Sequence, residues 1–149
     1  MTFEEYKNEV ENKFGPCTEL EATSDTTLLN ANKTGDRDAY KSIDWIDYWR
    51  AMSGQHSATM HCSSCGKEIV VGEPTLAQKL RFSAGDDDVK KHRAEGGHIW
   101  VVAPQGANYT GGRYITPLCP SCNAKRGQHI PIKKGSCLYK ELGASKKDE

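Results

Sequence analysis

Apolar residues at helical spacing mark two segments within the first 54 positions. The first stripe consists of Phe3, Tyr6, Val10 and Phe14. It predicts an amphipathic helix over residues 2–14. Thr2 and Glu5 form a capping-box pattern at its start, and Gly15-Pro16 ends it.

A second helix is predicted to begin at Asp36 or Asp38 and to end at Ser53-Gly54. Its apolar stripe consists of Tyr40, Ile43, Ile46, Trp49 and Met52. Core packing is the favoured interpretation of Trp45 and Trp49, and a base-stacking platform is the alternative. The intervening residues 17–35 are polar and predict a loop or linker.

Beyond residue 55 the apolar runs become short, which predicts strands. Strands are expected at residues 69–71, 98–103 and 113–116, with a Gly-rich turn over 105–112 joining the last two. A short helix should start near Pro120 and stop at Gly127. Residues 129–132 and 137–139 are predicted to form a closing hairpin. Residues 73–95 are interpreted as an inserted loop with a helical start near 75–80, and residues 143–149 as a disordered tail.

Two Cys-x2-Cys pairs stand out among the six cysteines. Cys62 and Cys65 form the first pair, and Cys119 and Cys122 form the second. The N-terminus lacks the basic and apolar regions of a secretory signal, and no apolar run approaches membrane-spanning length, so we expect a cytoplasmic protein with reduced thiols and no membrane contact. Two such pairs in a reduced chain predict one structural Zn²⁺ held by four thiolates.

The remaining cysteines, Cys17 and Cys137, have no partner at ligand spacing and are expected to be free thiols. His61, beside Cys62, is a rival zinc ligand that the spacing leaves open. A zinc staple suits a chain with only 36% hydrophobic residues.

Zero net charge hides an uneven distribution of charge along the chain. Residues 1–50 are acidic, whereas residues 113–140 contain basic residues and no acid. Five of those basic residues are candidate contacts to DNA, RNA or an acidic protein: Arg113, Lys125, Arg126, Lys133 and Lys134. A solvated basic surface without a partner is the alternative interpretation.

The order of these motifs resembles the HNH, or treble-clef ββα-metal, nuclease family. The resemblance covers residues 60–130: the first cysteine pair, Gly97-His98, and the second pair followed by Asn123. The wider pattern, with Gly96-Gly97-His98 and residues 114–123, is similar to that of small uncharacterised bacterial proteins.

The resemblance implies catalytic roles for three residues. His98 would be the general base, Asn108 would orient it, and Asn123 would ligate a catalytic Mg²⁺ or Mn²⁺. Gly97 stands where the family has a second metal ligand, so this site is interpreted as degenerate. A buried structural histidine is the favoured interpretation of His98, and a catalytic base and a ligand contact are the alternatives.

Taken together, the sequence predicts an α+β protein. Residues 1–54 would form an N-terminal helical region, and residues 55–142 a zinc-stapled treble-clef domain with two knuckles, a β-hairpin and a short helix. The favoured function is a binding module for nucleic acid or for a nucleic-acid-associated complex. A metal-dependent endonuclease, and a phage or mobile-element factor that binds another protein, are the alternatives.

Overall fold

A six-stranded antiparallel sheet forms the centre of the molecule in the computed structural model, which describes residues 1–23, 26–31, 37–84, 89–102 and 109–146. In spatial order its strands are β1 (Glu19–Glu21), β9 (Cys137–Lys140), β7 (Tyr109–Leu118), β6 (Glu95–Val102), β2 (Thr27–Asn30) and β8 (His129–Ile130). Two antiparallel strand pairs lie outside this sheet: β3 (Arg37–Ala39) with β10 (Ala144–Lys146), and β4 (Thr59–His61) with β5 (Glu68–Val70).

Four α-helices accompany these strands in the described part of the chain: α1 (Phe3–Phe14), α2 (Trp45–Ser53), α3 (Leu76–Ala84) and α4 (Pro120–Asn123). Single 3-10 turns occur at Tyr40–Ser42 and Val89–His92. The predicted α+β class is therefore confirmed.

Helix α1 begins where the sequence predicted it. The Thr2 side chain accepts a hydrogen bond from the Glu5 amide, and the Glu5 carboxylate accepts one from the Thr2 amide, both at 3.1 Å. This reciprocal pair satisfies two of the amides that a helix start leaves without partners. Tyr6 and Val10 are buried, and they turn the apolar face of α1 toward α2.

Helix α2 starts at Trp45, so the prediction of a start at Asp36 or Asp38 was wrong. Lys41 and Ser42 have φ angles of 63° and 58°, in the left-handed region that an α-helix cannot continue through. Tyr40 and Ile43 fit the apolar stripe of the predicted helix, but they flank this left-handed turn and lie before the start of α2. Trp45 and Trp49 are buried, which confirms the core-packing interpretation.

The central sheet separates two hydrophobic clusters because successive side chains of a strand point to opposite faces. On one face, Ile115 and Tyr139 pack with α1 and α2. On the other face, Ile99 and Tyr114 pack with the cysteines and with the β4–β5 pair. The molecule is thus layered, with α1 and α2 on one side of the sheet and the cysteine cluster on the other.

Gly96 of β6 allows α2 to approach the sheet closely. A methyl group added at Gly96 would lie 2.7 Å from both the Ile46 amide nitrogen and the Trp45 carbonyl carbon. These are backbone atoms of the helix, so a side chain here would force the whole element to move.

Three predictions from the sequence need correction. Residues 17–35, expected to be a loop, contain β1 and β2, which join the central sheet. Residues 129–132 and 137–139 do not form a hairpin, because β8 pairs with β2 while β9 pairs with β7 and β1. Residues 144–146, assigned to a disordered tail, form β10 against β3. Each of these strands is short and pairs with a segment distant in the chain, so local patterns did not reveal it.

The described residues between 73 and 95 form helix α3 and the 3-10 turn at Val89–His92, where an inserted loop was predicted. Helix α3 is anchored by buried Gln78, which donates to Thr59 Oγ1 at 2.8 Å, and by Phe82, which stacks on His92 at 3.7 Å between ring centroids. The His92 Nδ1 lies 2.7 Å from the Glu68 carbonyl oxygen. These contacts fix α3 against the β4–β5 pair. The acidic run at residues 86–88 lies outside the described residues.

Candidate metal centre and its surroundings

Cys62, Cys65, Cys119 and Cys122 converge on one point, and all four sulfurs lie within 4.8 Å of one another. The first pair occupies the turn between β4 and β5, and the second pair opens α4. The Sγ atoms of Cys65 and Cys119 are 3.7 Å apart. A tetrahedral Zn²⁺ with Zn–S bonds of ~2.3 Å separates its sulfurs by ~3.8 Å, so the cluster fits that ion.

The first cysteine turn is shaped by the backbone. The Gly66 amide donates to the Cys62 carbonyl at 2.9 Å, and Gly66 has a φ angle of 81°. Glycine adopts this left-handed conformation without a steric penalty. The Cys62 amide donates to the Lys67 carbonyl at 2.8 Å, which closes the turn.

The second turn is a helix start. Cys119 is the N-cap of α4, and its sulfur accepts from the Cys122 amide at 3.5 Å. Pro120 occupies the first helical position, where its missing N–H removes no hydrogen bond. Backbone amides near a helix N-terminus favour negative charge, so this geometry suits thiolate ligands.

Burial and backbone dipoles act in opposite directions on the four thiols. Burial is the largest influence on Cys119 and Cys122, and it raises the pKa of both. Burial also opposes ionisation of Cys62, but the amides of Cys65, Cys119 and Ser64 donate to its sulfur and hold its pKa below the ordinary value. A metal ion would therefore displace protons from at least two buried thiols on binding.

Polar side chains join the cysteine turns to the central sheet. Ser63 Oγ and Thr116 Oγ1 are 2.6 Å apart, and the Ser63 amide donates to the Pro117 carbonyl at 2.9 Å. Buried Asn30 donates through Nδ2 to the carbonyls of Cys122 and Asn123, at 3.2 and 3.0 Å. Neither Ser63 nor Asn30 was predicted from the sequence, because their partners are distant in the chain.

The other candidate ligands do not join the cluster. His61 is exposed on β4 and is not part of the cysteine group. Cys17 donates to the Lys140 carbonyl at 3.4 Å and lies 3.6 Å from the Tyr48 hydroxyl. Burial raises the pKa of Cys17, and also that of Cys137, whose sulfur points to the Gly135 carbonyl. Both are free thiols, as predicted.

His98 belongs to a buried polar cluster on the helical side of the sheet. Its Nδ1 lies 3.0 Å from Glu141 Oε2, and its ring meets Trp45 edge-on at 5.1 Å between centroids. The other Glu141 oxygen accepts from Arg113 at 3.0 Å. This arrangement matches the favoured interpretation of His98 as a buried structural histidine.

Asn123 lies on the opposite side of the sheet from His98. It donates to Glu95 Oε1 at 3.1 Å, and a methyl group at Gly97 would lie 3.4 Å from its Oδ1 and would meet Leu118. Gly97 and His98 are consecutive on β6 and therefore face opposite ways. The structure thus does not bring together His98 and Asn123, the base and metal ligand of the predicted nuclease centre. Asn108, the third member, lies outside the described residues.

Four of the five predicted contact residues lie on two turns that are hydrogen-bonded to the cysteine turns. Lys125 and Arg126 follow α4 directly, and Lys133 and Lys134 lie in the turn before β9. All four are exposed, and within the described ranges none of them forms an ion pair. Arg113 does not belong to this group, since it binds Glu141 on the other side of the sheet.

The Lys133 turn is attached to the first cysteine turn. The Lys133 amide donates to the Ser63 carbonyl at 2.7 Å, and its side chain lies directly over Gly66. On the other side, the Gly127 amide donates to the Asn30 carbonyl at 2.9 Å. Both basic turns are therefore fixed to the framework that the cysteines hold.

Comparison with known proteins found no matching family model, no matching curated protein and no matching solved structure. Among the described residues, no helix combines the length and apolar character needed to cross a membrane. The HNH resemblance therefore stays a prediction.

Proposed function

We propose that this protein is a zinc-stapled module that binds the phosphate backbone of nucleic acid. The cations that define the binding surface are Lys125, Arg126, Lys133 and Lys134. We call this set the basic rim. The observation that carries the proposal is that all four are exposed on turns anchored to the two cysteine pairs.

The zinc ion would have a structural role. Four protein thiolates fill a tetrahedral site and leave no position for water or substrate. The two cysteine turns, the β6–β7 hairpin and α4 have the order of a treble clef, which supports that finer assignment. In this arrangement the metal holds the two halves of the basic rim at a fixed separation.

Charge balance favours a polyanionic partner at the basic rim. Four thiolates and one Zn²⁺ would carry a net charge of −2, and the rim contributes four positive charges around them. The charge of the rim therefore exceeds that of the metal cluster, and the rim cations form no ion pair with a carboxylate in the described part of the chain. Exposed cations of this kind bind phosphate groups by releasing counterions.

Binding of a fluorescent 12-nucleotide single strand, followed by anisotropy, tests the proposal. The variant Lys133→Gln/Lys134→Gln should weaken binding about tenfold, because it removes two phosphate contacts. A matched control, Lys7→Gln/Lys13→Gln on α1, removes the same charge from the helical side of the sheet and should bind as the unaltered protein does. Equal loss in both variants would refute a local binding surface.

A further inference from the structure

A cavity of about 310 Å³ lies beside Gly135 and Ser136, which directly follow Lys133 and Lys134 of the basic rim. It lies between the C-terminal end of α2, strand β4 and the turn that leads into β9. Its lining includes Trp49, Gln55, Ser57, Thr59, Met60 and Ser136. This volume falls at the small end of the range for ligand pockets, about 300–1,000 Å³, and suits a single ring system.

The cavity and the basic rim share one piece of backbone. Ser63 forms part of the cavity wall, and its carbonyl accepts the Lys133 amide at 2.7 Å. Gly135 and Ser136, also in the wall, follow Lys134 directly, and the Ser136 amide donates to the Lys133 carbonyl at 3.1 Å. The turn that carries Lys133 and Lys134 therefore continues directly into the cavity wall.

The lining combines apolar surface with hydrogen-bonding groups. Trp49 is fixed by its indole N–H, which donates to the Cys137 carbonyl at 3.0 Å, and Met60 adds a thioether. The side chains of Gln55 and Ser136 make no hydrogen bond to another described residue. Ser57 Oγ accepts from the Thr59 amide at 3.1 Å, so its O–H can still donate.

The cavity lining contains no carboxylate. A larger cavity of about 520 Å³ beside α1 is different, because Glu4 and Asp47 line it. Those carboxylates would repel a phosphate-bearing ligand. Of these two cavities, only the smaller one combines nearby cations with an acid-free lining.

We propose that this cavity receives one unpaired nucleobase of a single-stranded nucleic acid whose phosphates lie along Lys133 and Lys134. The inference rests on the proposed function and deepens it by naming the strand class. A flat heteroaromatic ring matches the apolar walls, and its polar edge matches Gln55, Ser57 and Ser136. Bases inside a duplex are stacked and paired, so they cannot enter without being extruded.

The test compares two 12-nucleotide ligands of equal charge, oligo-dT and an abasic strand, in anisotropy titrations with the zinc-loaded protein. We expect oligo-dT to bind about tenfold more tightly, a difference of ~1.4 kcal/mol. A paired 12-mer duplex should resemble the abasic strand once affinities are expressed per phosphate.

A pocket-filling variant provides an independent check. Ser57→Tyr places a ring at the cavity mouth and should remove the preference for oligo-dT while leaving abasic binding unchanged. Ser83→Tyr, at an exposed position on α3 outside the cavity lining, is the matched control and should keep the preference.

The outcomes separate the two proposals. If both strands bind equally and binding weakens with salt, the base pocket is refuted and the proposed function stands. If neither strand binds, the proposed function fails and the pocket proposal fails with it. The third outcome is that Ser57→Tyr still unfolds cooperatively and still prefers oligo-dT over the abasic strand. The base would then bind outside this cavity, and the inference would be overturned.

Discussion

Removal of the metal should destabilise the protein strongly. The length of the chain between the two cysteine pairs sets a lower bound on the loss of unfolding free energy. Zinc would join the turn that ends at Cys65 to the turn that begins at Cys119, with 53 residues between them. Without the metal, the unfolded chain is no longer closed into a loop of this length, and it gains conformational entropy worth roughly 4 kcal/mol. The total stability of a domain is ~5–15 kcal/mol, so this loss is a large fraction of it.

Thermal unfolding followed by circular dichroism measures this effect directly. For a chain of this length, a loss of ~4 kcal/mol corresponds to a decrease in Tm of about 8–16 °C. We expect at least this decrease after treatment with a strong chelator, and recovery when one equivalent of Zn²⁺ is restored.

Two cysteine variants give the matched comparison. Cys119→Ser removes a buried ligand and should behave like the chelated protein even with Zn²⁺ present. Cys17→Ser changes a thiol outside the cluster and should bind one Zn²⁺ with a chelator-dependent Tm. An unchanged Tm after verified metal removal would refute the view that the four cysteines staple the fold.

Three further predictions concern the glycines of β6, the buried carboxylate of Glu141 and the protons released on zinc binding. Gly96→Ala should lower stability by about 1–3 kcal/mol in chemical denaturation, and more than Gly97→Ala does, because the added methyl at Gly96 meets helix backbone whereas the one at Gly97 meets the Leu118 side chain. Equal losses would contradict the close approach of α2. Glu141→Ala should cost about 1–3 kcal/mol, since it removes the buried carboxylate that both the His98 ring and the Arg113 guanidinium contact, yet nucleic-acid affinity should not change. Burial raises the pKa of Cys119 and Cys122, so zinc binding must release at least two protons. The affinity of the protein for Zn²⁺ should therefore rise about 100-fold per pH unit near neutrality. Competition with a chromophoric chelator at pH 6.5 and 7.5 measures this rise, and a smaller pH dependence would contradict the release of two protons.

Signals that are local in the chain were read correctly from the sequence. The capping pair Thr2 and Glu5 defined the start of α1, because both hydrogen bonds close within three residues. The two Cys-x2-Cys pairs predicted their own convergence, since each places two sulfurs in one tight turn. The identity of the ion stays a prediction.

Features that depend on partners distant in the chain were not predicted. Strands β1 and β2 are short and polar on one face, and only pairing with β9 and β6 makes them strands. The orientation of His98 depends on Trp45, which belongs to α2, and on Glu141, which directly follows β9. A sequence motif places this histidine on a strand, but the packing of α2 determines which face it occupies.

The salt dependence of nucleic-acid binding tests the central claim most directly. The observed association constant of the zinc-loaded protein for a 12-nucleotide strand should fall steeply between 50 and 200 mM KCl, with each phosphate contact adding ~0.7 to the slope of log affinity against log salt. Neutralising all four cations of the basic rim should reduce that slope by about 3 while the Tm is kept. A slope that does not change in this variant, or an affinity that does not respond to salt, would contradict the account.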